Sequence, residues 1–278
     1  MIGKIKLKNF FINILVMAMV FTTLFPLHNV ANAENPEDNL LPPGTEVITT
    51  DNLTKVSYFE DGKRYTVSVD KLSKKMYMET GLVKYEIVLE NIEGDSNEMQ
   101  GYLINIADGS IINFQDLNQK IDNGNITPYF GFAVPLALPY IAKGIELLLL
   151  AGTLIYISGL EYTIPTNIAE ITNKYPNHKY HAAWTHLPNG DAKQSIVVIG
   201  PGISEAEARA RLALGESVFG RTETYAKSIF RTIVRGPEQH GPFPRYLPHY
   251  HGEVFDAERG IFVNGNGHSW YMGNIWKN

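Results

Sequence analysis

The chain has no cysteine among its 278 residues. That excludes disulfide staples, thiolate metal ligands and a cysteine nucleophile. It also has no G-x-S-x-G nucleophile turn, no glycine-rich P-loop and no H-E-x-x-H zinc helix. Strong charge is missing too, with a net of −5 at pH 7. Beyond the N-terminal segment, no unbroken run of apolar residues reaches the roughly 20 of a full membrane span. What remains is a chain long enough to build one or two cores without covalent help.

The N-terminus carries Lys4, Lys6 and Lys8, then the uncharged run "FFINILVMAMVFTTLFPL", then Ala31 and Ala33 ahead of Glu34. A basic head, an apolar body and an A-x-A site make a secretory signal peptide over residues 1–33. The protein is therefore expected to be secreted, with a mature chain from Glu34.

Charge divides the mature chain. Residues 34–128 hold 17 acids and 8 bases, net −9, whereas 175–278 hold 9 acids and 11 bases, net +2. Seven of the eight histidines also lie in the later segment. This asymmetry points to two modules with different tasks. In the acidic segment, "TKVSYF" and "KRYTVSV" alternate around Asp61-Gly62. "KMYMET" and "KYEIVLENI" flank Gly81, and "GYLINI" and "SIINF" flank Asp108-Gly109. Period-two alternation broken by such turns predicts about six strands and no helix, a small antiparallel β domain over 34–125. Its acids are expected to be a solvated face, with a partner-binding or pro-segment role as the alternative.

Residues 126–164 are apolar. The run 126–142 is uncharged but broken by Pro128, Pro135 and Pro139, and 147–160 is uncharged again. The stretch from Ala142 to Leu160 lacks proline and predicts a helix. A helix apolar all round is either membrane-seeking or deeply buried. The pattern allows both, with membrane contact through 126–164 ranked first.

From Tyr175 an α+β module follows. "KYHAAWTHL" and "SIVVIG" predict strands around Pro188-Asn189-Gly190-Asp191, the second ending at Pro201-Gly202. "SEAEARARLAL" predicts a helix with Ser204 and Glu207 as a capping box and Gly215 as its stop. The glycine pair of "GPGISEAEA" suits a chain turn better than a phosphate cradle. "ESVFG" is a short strand or turn, and "TETYAKSIFRTIV" predicts a helix whose end is suited to Arg231 and Arg235. "GIFVNGNGHSWYM" predicts a closing hairpin about Asn264–Gly267.

The order of Gly215 before Val218-Phe219, Ala226-Lys227, His240-Gly241-Pro242, His249-Tyr250-His251 and His268-Ser269-Trp270-Tyr271 resembles the C-terminal domain of secreted bacterial polymorphic toxins. In layout the whole chain is similar to a secreted toxin family of Gram-positive bacteria, with the same signal, variable β region and apolar stretch. The resemblance implies an exported toxin, an effector domain over 175–278 and a cognate immunity protein as partner. It assigns no catalytic roles.

Those come from chemistry. In an extended "LPHYHG", His249 and His251 point to one face. Paired imidazoles suit acid–base catalysis, and cleavage of RNA through its own 2′-hydroxyl needs such a pair plus a cation, with no cofactor. That reading takes His249, His251, His240, His268 and Arg245 as catalytic, and Lys227, Arg231 and Arg259 as substrate-binding, on RNA. The module's +2 is small for a nucleic-acid binder. The alternative is a zinc hydrolase with H-x-H and a third ligand from His240 or His268, supported by Glu253 or Asp256. A further alternative is a non-enzymatic, membrane-associated binding protein whose histidines pack a loop. His181 and His186 read as structural, with His181 near enough in register to reach a site, and His178 as exposed.

Overall fold

In the computed structural model, the described residues are 41–92, 94–95, 98–118, 138–187, 196–243, 246–265 and 267–275. The expected signal peptide over 1–33, Arg245, residues 126–137 and the expected turn at 188–191 lie outside them. The fold is mixed, two sheets with a few short helices.

The first sheet is a meander of β1 (Glu46–Thr49), β2 (Leu53–Glu60), β3 (Lys63–Asp70), β4 (Lys75–Thr80) and β5 (Val83–Asn91). A two-residue strand, β6 (Gly94–Asp95), leaves it before β7 (Gln100–Asn105) and β8 (Ile111–Asn113) complete the order. The β2–β3 turn is tight because Glu60 pairs Lys63 while Asp61 and Gly62 both take positive φ, 49° and 70°. That two-residue geometry matches strand twist and suits Asp-Gly. The alternation then sends Tyr58, Tyr65, Val67 and Val69 inward. A short helix expected by no pattern, α1 (Phe114–Asn118), follows β8.

The apolar stretch divides. Its helix, α2 (Leu138–Leu150), begins at Leu138 with Pro139 in its first turn, where proline is tolerated. It lies on β2 and β3. Leu138, Ile141, Ile145, Leu148 and Leu149 are buried there, each contributing roughly 1.5–3 kcal/mol. Lys143 reaches outward to Glu60 at 2.7 Å. The expected helix to Leu160 stops ten residues early. Gly152, at φ +76°, turns the chain, and its carbonyl accepts from the Asn167 amide at 2.6 Å. The β-branched Ile155 and Ile157 then form β9 (Ile155–Ile157), which pairs in parallel with β5 and leads into β10 (Leu160–Tyr162). No helix among the described residues is long and apolar enough to cross a membrane.

After α3 (Ile168–Lys174) comes the second sheet. It contains β11 (Tyr180–Leu187), β12 (Ile196–Ile203), α4 (Glu205–Ala213), β13 (Ser217–Gly220), α5 (Glu223–Ser228), β14 (Thr232–Glu238), β15 (His249–Asp256), β16 (Ile261–Asn264) and β17 (Ser269–Tyr271). Its order is β12-β11-β13-β17-β15-β14, with β16 on β15 and β6 on β11. Ser204 caps α4 by accepting from the Glu207 amide at 3.1 Å, as the capping pattern predicts.

Three local expectations are corrected. β12 runs through Pro201-Gly202 to Ile203, with an irregularity in its pairing between His181 and Ala183. The helix expected through Val234 ends at Ser228, because Thr232, Ile233 and Val234 are β-branched and enter β14 instead. The closing hairpin does not form. β16 pairs Asn264 with Glu253 and β17 pairs Ser269 with Tyr250, so both lie antiparallel on β15, while β17 also runs parallel to β13. Between these pairs β15 spends three steps and the other side five, from Asn264 to Ser269.

Candidate functional site

The site grows from strand register. Cross-strand partners share a face. Glu238 on β14 pairs His249 on β15, which pairs Trp270 on β17, and Arg235 pairs His251. Residues three apart in a regular strand point to opposite faces. Here one extra residue on β14 between Arg235 and Glu238 restores both to the same face, and Arg235 Nε meets Glu238 Oε1 at 3.2 Å. His268 precedes Trp270 by two residues, and the two rings stack at 5.0 Å. Gly267, just before His268, lies against the α4–β13 loop. A Cβ on Gly267 would lie 1.9 Å from the Glu216 carbonyl oxygen, so only glycine fits.

The result is a nest of imidazoles. Ring centroids lie 5.2 Å apart for His240–His249, 5.0 Å for His249–His251, 4.9 Å for His249–His268 and 4.6 Å for His251–His268. His249 and His251 are buried, His268 is half-buried and His240 is exposed at the rim. One nitrogen from each of His249, His251 and His268 falls within 4.8 Å of the others, and Glu238, His240 and His249 form a second such set. Glu238 Oε2 stands 4.0 Å from His249 Nε2. Neither ring nitrogen of His249 completes a hydrogen bond, and His251 Nε2 is likewise buried and unpartnered.

The electrostatics follow from this crowding. Burial, then the charges that His268, His251 and His240 would carry, push His249 down to about 2. The Leu247 backbone, close to the ring but outside hydrogen-bond geometry, opposes this only in part. Burial and the same neighbours, with Arg235, push His268 down to about 3. Burial and Arg235 also lower His251, against the pull of Glu238. All three shifts favour the neutral form of the rings.

All four histidines named in sequence therefore meet. Lys227, Arg231 and Arg259 do not join them. Lys227 is exposed on α5, which packs against the opposite face, where Tyr250 donates to Glu223 at 2.7 Å. Arg231 lies over the Phe262 ring at 4.3 Å, beside the far end of β15. Arg259 sits in the β15–β16 turn and pairs Asp256 at 3.4 Å. Asp256 accepts from the Glu258 and Arg259 amides, so it serves that turn. Glu253 belongs to the same distal half of β15. His181 shares the nest's face, but Phe219 and Trp270 intervene, roughly 14 Å at three strand spacings. Its Nδ1 contacts the Gly200 carbonyl at 3.1 Å, and His186 Nδ1 contacts that of Ile92 at 3.3 Å. His178 is half-buried.

Sequence reasoning missed Glu238 and Arg235. Both adjoin the histidine stretch, but pairing across the sheet, not spacing, brings them in. No protein-family model, curated protein or solved structure matches the chain. The site is read from its own chemistry.

Proposed function

We propose that the histidine nest holds a divalent transition-metal ion, zinc by donor type, in an exported toxin-like hydrolase. The observation that carries this reading is the convergence of three imidazoles, His249, His251 and His268, with buried unpartnered nitrogens on His249 and His251. Unpaired buried nitrogens are costly, and an all-nitrogen set with a rim carboxylate suits zinc. The ion would supply an activated water and a polarised ester oxygen. His249, His251 and His268 would hold it, Glu238, with Oε2 4.0 Å from His249 Nε2, would serve as base for that water, and exposed His240 borders the nest.

In this reading the acidic meander is a scaffold and the second sheet the effector, with RNA the first substrate to test. A second reading, metal-free acid–base cleavage of RNA, is favoured by the Arg235 guanidinium opposite His251. Burial weighs against it, because a proton-donating imidazole is disfavoured at His249 and His268.

The test is metal content and RNA cleavage by the whole chain. One zinc per chain, lost in the His249→Ala/His251→Ala variant, with cleavage abolished by EDTA and restored by zinc, is the expected result. Cleavage undiminished by chelation would assign the nest to the metal-free reading. Absence of bound metal and of cleavage would remove both.

A further inference from the structure

A second cluster of cations lies apart from the nest. Among the described residues most lysines and arginines meet a carboxylate, as in Lys75–Glu86, Arg209–Glu205 and Arg211–Glu216. Lys179 and Arg221 meet none among those residues, and they are neighbours. Lys179 precedes β11 and Arg221 follows β13, whose ends pair at Tyr180 and Gly220, and the Arg221 amide donates to the Lys179 carbonyl at 3.0 Å. Two like charges set side by side on adjoining strands repel each other.

Both line one cavity of about 440 Å³, with Asn177, His178 and Tyr225 among its walls and no carboxylate. Arg221 Nη1 donates to the Pro176 carbonyl at 2.6 Å. That bond holds the loop and fixes the guanidinium while leaving further N–H groups free. Lys179 Nζ hovers 5.4 Å from the Tyr225 ring centroid. His178 Nδ1 is buried without a partner.

We infer that this cavity binds a phosphate group carried on a flat-ringed ligand such as a nucleotide. A guanidinium presents a planar fork that matches phosphate oxygens, and an ammonium adds a mobile point charge. An anion here relieves the Lys179–Arg221 repulsion. The volume lies in the range of small-molecule sites and exceeds what a bare phosphate fills. The Tyr225 ring offers a stacking surface for the rest. The site shares no residue with the nest, so it stands whether or not the nest binds metal.

Calorimetric titration of the whole chain with adenosine monophosphate and with inorganic phosphate tests this. Saturable one-to-one binding is expected, tighter for the nucleotide. Lys179→Gln and Arg221→Gln should each weaken it about tenfold or more, while His249→Ala/His251→Ala leaves it unchanged. Lys179 is exposed, so its variant keeps the fold even if Arg221→Gln disturbs the loop. Equal affinity for both ligands would keep the phosphate site and remove the role of Tyr225. No saturable binding of either, or binding indifferent to Lys179→Gln in a folded protein, would overturn the inference.

Discussion

His249 offers the sharpest test, because its replacement should act in opposite directions with and without metal. Its side chain is fully buried, 4.2 Å from the Trp270 ring centroid, with both nitrogens unpartnered. An unsatisfied buried polar group costs about 1–3 kcal/mol. His249→Leu removes that cost and introduces a misfit of about 1 kcal/mol. The metal-free variant should therefore match the wild type or exceed it by up to about 2 kcal/mol. Zinc at one hundred times its Kd should stabilise the wild type by about 2.7 kcal/mol. For a chain of this size that is roughly 5–10 °C in Tm. The variant should gain far less. Scanning calorimetry of the chelated protein, with and without added zinc, measures all four values. If the chelated variant melts well below the chelated wild type, by 3 kcal/mol or more, and zinc moves neither, then His249 is a packed structural residue and the metal reading fails.

The lowered His249 and His268 values also set a pH dependence. Their folded-state values lie below the unfolded value of about 6.5. Below that pH the unfolded chain takes up protons that the folded chain refuses. Their contribution is thus present above about pH 6.5 and lost as pH falls toward 3, at up to about 1.4 kcal/mol per pH unit for each ring. Denaturant unfolding from pH 7 to 4 should show the loss, and His249→Leu should flatten it by close to one proton. Gly267→Ala should lose several kcal/mol, or fail to fold, since its new Cβ would sit 1.9 Å from a backbone oxygen; yield and Tm report it. Glu238→Gln should reduce cleavage at least tenfold while leaving zinc content near one per chain, a result read by activity beside elemental analysis. A variant that loses its zinc would make Glu238 a ligand instead.

Much of the meander was legible in sequence, because its information is local. Asp61-Gly62, Gly81 and Asp108-Gly109 mark turns by their φ requirement, and Tyr65, Val67 and Val69 mark the inner face by alternation. The four histidines were legible only as a group with one reliable local relation, the shared face of His249 and His251. The rest depends on register. β17 reaches the site by pairing strands far apart in the chain, and the bulge at 235–238 and the two extra residues between Asn264 and Ser269 reset which side chains face the nest. Neither has a local signature beyond its glycines. The helix expected through Val234 failed because a good cap at Thr222 says where a helix begins and not where it ends. Ile155–Ile157 misled in the same way. Absence of proline permits a helix, but Gly152 and the branched residues beyond it favoured a strand.

The Thr163–Ile199 bridge has a consequence for how the second sheet can exist alone. Thr163 and Ile199 exchange backbone bonds of 2.7 and 2.8 Å, and Tyr162 lies so close to Gly200 that a Cβ there would come within 2.1 Å of its ring. These contacts cover the outermost strand, β12. A fragment starting at Tyr175 would leave that rim bare, with unpaired amides and carbonyls beside apolar Val198 and Ile199. Such a fragment would tend to recruit strands from its own copies. Solubility, not catalysis, would then decide what a truncated effector shows.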